Sequence, residues 1–204
     1  VGESGCGKST IAYAIMRLLP KHNEHISGRI LFEGNDLAQY TGKQMIGVRG
    51  KEIGIIFQNP LDSLNPVYRA GHQVEEALWL DNLSRREAYE ETLRLFTEVR
   101  MPDAEKQMQR FPHELSGGMR QRVMISMMLS RNPKLLIADE PTTALDVTIE
   151  AQIMDILLSL KKQYSTAILL ITHNFGIVAE TADRIAVMYA GQLVEQGSVF
   201  EVLD

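Results

Sequence analysis

One octapeptide restricts this chain more than any other feature. Gly2-Glu3-Ser4-Gly5-Cys6-Gly7-Lys8-Ser9 fits G-x-x-x-x-G-K-[ST] and leads straight into a periodic apolar segment, with Ile11, Ala14, Ile15, Leu18 and Leu19 at three- and four-residue steps. Glycines at those spacings let successive backbone N–H groups turn inward around an anion. A helix starting at the lysine adds its unpaired amides and the positive end of its dipole. In that setting Lys8 reaches the β and γ phosphates of a nucleotide and Ser9 ligates Mg2+. A glycine turn before an ordinary helix would also fit the pattern, but a chance match in 204 residues is on the order of one in a hundred.

Such a loop belongs in an α/β fold, and the rest of the pattern agrees. The periodicity predicts a helix over Lys8–Leu19, stopped by Pro20. Short apolar runs predict strands at Arg29–Phe32, Ile53–Phe57, Leu135–Ala138 and Ala167–Thr172, the last two continuous enough for parallel strands covered on both faces. Val147–Gln163 reads as an amphipathic helix between two of them. Arg184–Tyr189 and Gln192–Glu195 read as a hairpin around Ala190-Gly191. Ser84-Arg85-Arg86-Glu87 and Ser198-Val199-Phe200-Glu201 are capping boxes that open helices. From about 70 to 130 the pattern is nearly all helical. The expectation is one domain: a mostly parallel α/β core over about 1–69 and 131–204, with right-handed crossovers, interrupted by a helical subdomain at about 70–130. A buried strand should precede the loop, so the chain is expected to lack its N-terminal piece.

Composition narrows the function. The net charge of −5 and a pI near 5.6 argue against a nucleic-acid-coating protein. Cys6 is the only cysteine, which excludes an intrachain disulfide and a cysteine-cluster zinc site. No apolar run approaches the ~18 residues that a bilayer span needs.

Leu135-Leu136-Ile137-Ala138-Asp139-Glu140 is an apolar run ending in two carboxylates. After a phosphate loop, the first such acid commonly holds Mg2+ and the second positions or deprotonates the attacking water. Solvated acids at a strand end would look the same, but Pro141 and the position after Lys8 make the match more specific. Leu115-Ser116-Gly117-Gly118-Met119 precedes another predicted helix and offers a second anion-suited helix start, or else a plain Ser N-cap with a glycine entry turn. One triphosphate already has a loop, so a second such start suggests a contact to nucleotide on another molecule.

The ordered set resembles the ATP-binding-cassette (ABC) ATPases: the phosphate loop, Gln58 after a strand, LSGGM, LLIADE, Ala144-Leu145-Asp146 and His173. Three segments resemble the dipeptide/oligopeptide/nickel importer subfamily more narrowly. They are Phe57-Gln58-Asn59-Pro60-Leu61-Asp62-Ser63-Leu64-Asn65-Pro66, His113–Arg122 and Asp139–Thr148. The resemblance implies a P-loop NTPase core of ABC type with an inserted helical subdomain. Its implied activity is ATP hydrolysis, with ATP and Mg2+ as cofactors, coupled to uptake of peptides or related solutes.

Residue by residue, it implies that the loop from Gly2 through Glu3, Ser4, Gly5, Cys6, Gly7, Lys8 and Ser9 to Thr10 binds the phosphates. Ser9, Gln58 and Asp139 would attend the metal. Glu140 would be the base, with Lys8, Gln58 and His173 as the other catalytic groups. Asp146 would lie in a loop crossing a dimer interface, and Ser116, Gly117 and Gly118 would close over ATP on a second cassette. The implied partners are that second ATPase subunit, identical or paralogous, the transmembrane permease subunits and, indirectly, an extracytoplasmic solute-binding protein, with no nucleic acid. The implied location is the cytoplasmic face of the inner membrane.

Met119 and Asn174 depart from the commoner residues at their positions, and the adenine-stacking aromatic of the family lies upstream of this chain. A different transport system, a DNA-repair ABC ATPase, a non-catalytic regulator and a GTPase are the competing readings. The spacing from Lys8 to Asp139 leaves no room for long coiled coils, Glu140 and His173 are present, and no Asn-Lys-x-Asp motif occurs. Single residues read more plainly. Met124, Met127 and Met128 suit core packing, and Trp79 suits either the helical insert or a membrane-subunit contact. Cys6, beside a helix start and near Lys8, is expected to be a reactive thiol that bound ATP protects, unless it points into the core.

Overall fold

The computed structural model describes residues 1–20, 26–59, 63–143 and 145–203. The quoted positions Lys21–His25, Pro60–Asp62, Ala144 and Asp204 lie outside the described residues. In chain order the elements are α1 (Lys8–Ile15), β1 (Leu31–Phe32), β2 (Asn35–Asp36), α2 (Gly42–Val48), β3 (Ile53–Ile56), α3 (Ala70–Trp79), α4 (Arg85–Glu98), α5 (Ala104–Met108) and α6 (Gly117–Leu129). Then follow β4 (Leu135–Asp139), α7 (Val147–Tyr164), β5 (Ala167–Ile171), α8 (Phe175–Thr181), β6 (Arg184–Tyr189), β7 (Gln192–Ser198) and α9 (Val199–Leu203). The chain divides into two compact units, Val1–Arg49 with Leu170–Asp204, and Gly50–Leu169.

In the first unit, Val1 and Gly2 run beside β6. The Val1 amine donates to the Ala186 carbonyl, Met188 N–H donates to the Val1 carbonyl, and Gly2 forms a parallel bridge with Met188. The residues entering the phosphate loop are therefore already paired as strand. β6 and β7 form an antiparallel hairpin whose corner, Ala190-Gly191, has φ of 46° and 80°. Both central residues are left-handed, which matches the twist of the flanking strands. The second hairpin, β1–β2, turns at Glu33-Gly34 in the same way, with φ of 50° and 78°.

Helix α1 ends at Ile15, short of the predicted Leu19. Pro20 has no N–H to give the Met16 carbonyl, so a longer helix would leave that acceptor unsatisfied. Arg49 supplies the donors instead. Its Nε donates to the Met16 carbonyl at 2.8 Å and its Nη2 to the Arg17 carbonyl at 2.6 Å, with Arg17 turned to φ 50°. Arg49 follows α2, a helix absent from the sequence-based expectation. Thr41 and Gln44 open it with a reciprocal capping box.

The second unit is built on β3 and β4, which pair in parallel from Ile53↔Leu135 to Ile56↔Ala138. The three-stranded sheet has the order β3–β4–β5. Every residue of β3 is buried, as are Leu136 to Asp139 of β4. Each fully buried isoleucine or leucine contributes about 1.5–3 kcal/mol. Gly54 lets α6 approach: a Cβ there would lie 3.4 Å from Met128 Cβ and 3.2 Å from Leu136 Cδ1. Helices α3 to α6 occupy the stretch expected to be helical. The Ser84–Glu87 capping box starts α4, which buries Ala88, Thr92, Leu95 and Phe96.

Arg122, buried on α6, ties this stretch to α7. Its guanidinium donates to the Val99 and Arg100 carbonyls and to Gln152 Oε1. Burial, with Arg100 adding to it, lowers the Arg122 pKa. Trp79 is partly buried, edge-on to His72 at 5.1 Å between ring centres. Among the described residues no helix is long and apolar enough to cross a membrane.

Candidate active site

The phosphate loop lies in the first unit. Gly5 and Gly7 take left-handed φ of 81° and 99°, and Gly7 is the N-cap of α1. A Cβ at Gly5 would meet nothing within 4 Å, so its glycine answers to backbone conformation. Gly2 has a different reason to be glycine. A Cβ there would stand 2.2 Å from the Met188 carbonyl oxygen and 2.8 Å from Cys6 Sγ. Lys8 is buried, and its Nζ donates to the carbonyls of Gly2 at 2.8 Å and Glu3 at 2.7 Å, which stitches the loop closed from below. Glu3, Ser4 and Gly5 are exposed at the rim, Ser9 is partly buried and Thr10 is exposed.

Cys6 turns inward. It is 6% exposed, and its carbonyl accepts from Gly191 N–H at 3.0 Å. The expectation of an accessible reactive thiol is therefore corrected to the core-facing alternative: Sγ packs beside Gly2, and the motif does not fix the side-chain direction at this position. Maleimide is expected to leave the native protein unlabelled with or without Mg-ATP and to label it fully in denaturant. Mass spectrometry of the full-length protein checks this, and native labelling that ATP suppresses would contradict the buried geometry.

His173 follows β5 and is exposed. The residue after it explains its own departure from the usual aspartate. Asn174 Oδ1 accepts from Gly176 N–H at 3.0 Å and Ile177 N–H at 3.3 Å, capping α8, while its own N–H donates to Thr172 Oγ1. The amide does the capping work of a carboxylate.

The carboxylates lie in the second unit. Asp139 closes β4 and is buried. Glu140 leaves the strand with φ 46°, a left-handed conformation uncommon for a residue with a side chain. Gln58, just past β3, donates through Nε2 to Glu140 Oε2 at 3.0 Å. Parallel pairing of β3 with β4 is what brings these two predicted residues together. Thr143 Oγ1 donates to the same oxygen at 2.9 Å, and Thr142 Oγ1 donates to Glu150 at 2.6 Å. Sequence reasoning assigned neither threonine, although two hydroxyls directly after the Asp-Glu-Pro run were a visible signal.

The LSGGM segment is in the same unit. Ser116 caps α6 by accepting from Met119 N–H at 3.3 Å. Gly117 and Gly118 face the entry and first turn of α7: a Cβ would meet Leu145 Cδ2, just before the helix, at 3.2 Å and Ile149 Cγ2 at 2.7 Å respectively. Gly118 is buried, so packing alone requires a glycine there. Asp146 is the N-cap of α7, accepting from Ile149 N–H at 3.0 Å. No group of three or more metal-ligating side chains occurs among the described residues.

A family model for the ABC transporter matches residues 1–143. The chain belongs to the ABC transporter family. Among curated ABC relatives, the oligopeptide transport ATP-binding protein OppD of Bacillus subtilis is 54% identical over 99% of this chain and 57% of its own length. The protein of the same name from Escherichia coli is 50% identical over 99% of this chain and 60% of its own. The chain thus spans about three-fifths of these ABC relatives.

Two solved ABC cassettes share the fold. One is a dimeric ATP-binding cassette, MJ0796, in a post-hydrolysis state with ADP and Pi. It is 26% identical, with a TM-score of 0.84, over 97% of this chain and 83% of that one. The other, cbiO1 of Clostridium perfringens, part of the cbiONQ ABC transporter complex, is 30% identical, with a TM-score of 0.86, over 100% and 77%. The chain therefore has the P-loop NTPase fold of ABC ATPases, with parallel and antiparallel strand pairs and a helical stretch.

Proposed function

We propose that this chain is the nucleotide-hydrolysing part of an ABC importer for peptides or related small solutes. The observation that carries it is Glu140, held at the end of β4 directly after the buried Asp139 with Gln58 donating to its carboxylate. The printed names of the oligopeptide-transport relatives support the solute class.

In this reading the loop amides from Gly5 to Ser9, with Lys8, bind the phosphates of ATP, and Glu3, Ser4 and Thr10 flank them. Ser9 and Asp139 are hard oxygen donors of the kind Mg2+ takes, with Gln58 beside them in role. Bound Mg2+ would neutralise charge on the phosphates. Glu140 takes a proton from the attacking water, and His173 donates a hydrogen bond to the terminal phosphate. Ser116, Gly117 and Gly118 serve the nucleotide of a second cassette. The partners are that cassette, membrane-spanning permease subunits and an external solute-binding protein, and the place of work is the cytoplasmic face of the membrane.

Phosphate release from Mg-ATP by the full-length protein tests the reading. Because a second copy or a paralogue completes each site, the rate is expected to rise more than linearly with protein concentration, alone or after mixing with the paralogue. A strictly linear dependence down to dilute protein would mean self-contained sites, and no phosphate release at any concentration would remove the enzymatic reading.

A further inference from the structure

We propose that Thr143 is the positioning residue for Glu140, gripping it through both main chain and side chain. The proposal rests on the reading of Glu140 as the base and goes beyond it by naming what holds the base in place.

Glu140-Pro141-Thr142-Thr143 is a tight turn. Thr143 N–H donates to the Glu140 carbonyl at 3.2 Å, and a buried Pro141 occupies the second position, where its fixed φ is favoured. The hydroxyl of the same Thr143 donates to Glu140 Oε2 at 2.9 Å. Glu140 itself has φ 46°. A left-handed residue with a side chain persists only when its surroundings over-determine it. The turn supplies that constraint, because its far side is also anchored. Thr142 Oγ1 donates to Glu150 Oε1 in the first turn of α7, Leu145 N–H donates to the Thr142 carbonyl, and Asp146 caps the helix.

The two donors on Oε2 differ in kind. Gln58 is an exposed side chain on the segment after β3, long enough to change partners when nucleotide is present. Thr143 is three residues from Glu140, partly buried, and its β-branched side chain has few rotamers to explore. Thr143 therefore keeps the carboxylate plane fixed while Gln58 exchanges partners. With that plane fixed, so is the direction from which Glu140 meets the attacking water.

The test uses steady-state hydrolysis by the full-length protein in its assembled complex, with nucleotide affinity measured separately. Thr143→Val keeps the shape and removes the hydroxyl. It is expected to lower kcat about tenfold with KM and ATP affinity within about twofold, since a misdirected group slows chemistry without weakening binding. Thr143→Ser is expected to restore most of the rate. In a Glu140→Gln background, adding Thr143→Val should change the residual rate by less than about twofold.

Wild-type kcat in Thr143→Val, or the same loss with and without Glu140, would overturn the proposal. If Thr143→Val does not fold, Thr143→Ala and Thr143→Ser are compared instead, and equal rates in those two would overturn it. Failure of the underlying reading looks different: Glu140→Gln would then hydrolyse ATP at the wild-type rate whatever stands at position 143.

Discussion

Lys8→Ala is expected to abolish ATP hydrolysis and to weaken ATP binding in the full-length protein. Two effects act together. In the proposed function the ammonium is the point charge that the loop offers to the phosphates, and a charge-assisted hydrogen bond contributes about 1.5–3 kcal/mol. The same ammonium also holds the loop, donating to the Gly2 and Glu3 carbonyls from a buried position. Alanine removes the charge, takes the ammonium donor from the Gly2 carbonyl and leaves the Glu3 carbonyl with the Cys6 N–H at 3.3 Å, so the loop loses shape as well as attraction. The combined loss in turnover should be at least about 100-fold, equivalent to roughly 2.7 kcal/mol of transition-state stabilisation. Phosphate release and equilibrium binding of ATP, measured on the same preparation, check both halves. Wild-type turnover would show that the Gly2–Ser9 segment does not bind the reacting phosphates.

Glu140→Gln separates binding from chemistry. Glutamine keeps the length and one acceptor oxygen, so Gln58 Nε2 and Thr143 Oγ1 retain a partner and the turn through Pro141 is expected to stand. What disappears is the group proposed to accept the proton, worth about 10²–10⁴ in rate. Hydrolysis should fall by at least about 100-fold while ATP affinity stays near that of the parent. Because hydrolysis would no longer reopen the assembly, Mg-ATP should hold two cassettes together, which size-exclusion chromatography detects as a stable dimer. Unchanged phosphate release would show that another group takes the proton. Loss of ATP binding would show instead that the carboxylate shapes the nucleotide site.

Much of this protein is legible in its sequence. The Ser84–Glu87 and Ser198–Glu201 capping boxes start α4 and α9 where the pattern put them, and the Ala190-Gly191 corner joins β6 to β7. The apolar run Leu135–Ala138 is a buried strand that ends on Asp139. These features are local. A cap, a two-residue corner and a continuous apolar run are each encoded within a few neighbouring residues, so one sequence suffices to read them. The same kind of signal, Thr41 with Gln44, stands at the start of α2.

What the tertiary structure decided is of another kind. Whether α1 runs to Leu19 depended on Arg49, a residue far along the chain that takes the Met16 and Arg17 carbonyls. Whether Cys6 faces solvent or core depended on Gly2 and on the strand that passes beneath the loop at Met188. Gly118 reads as a phosphate-contacting glycine in the motif, yet Ile149 on the next helix already requires a glycine at that point. The hydrogen bond from Gln58 to Glu140 joins two motifs that only the parallel register of β3 on β4 brings side by side. Each of these outcomes rests on a partner distant in sequence. A motif specifies which chemical groups are present, and the directions in which they point are set by whichever chain segment packs against them.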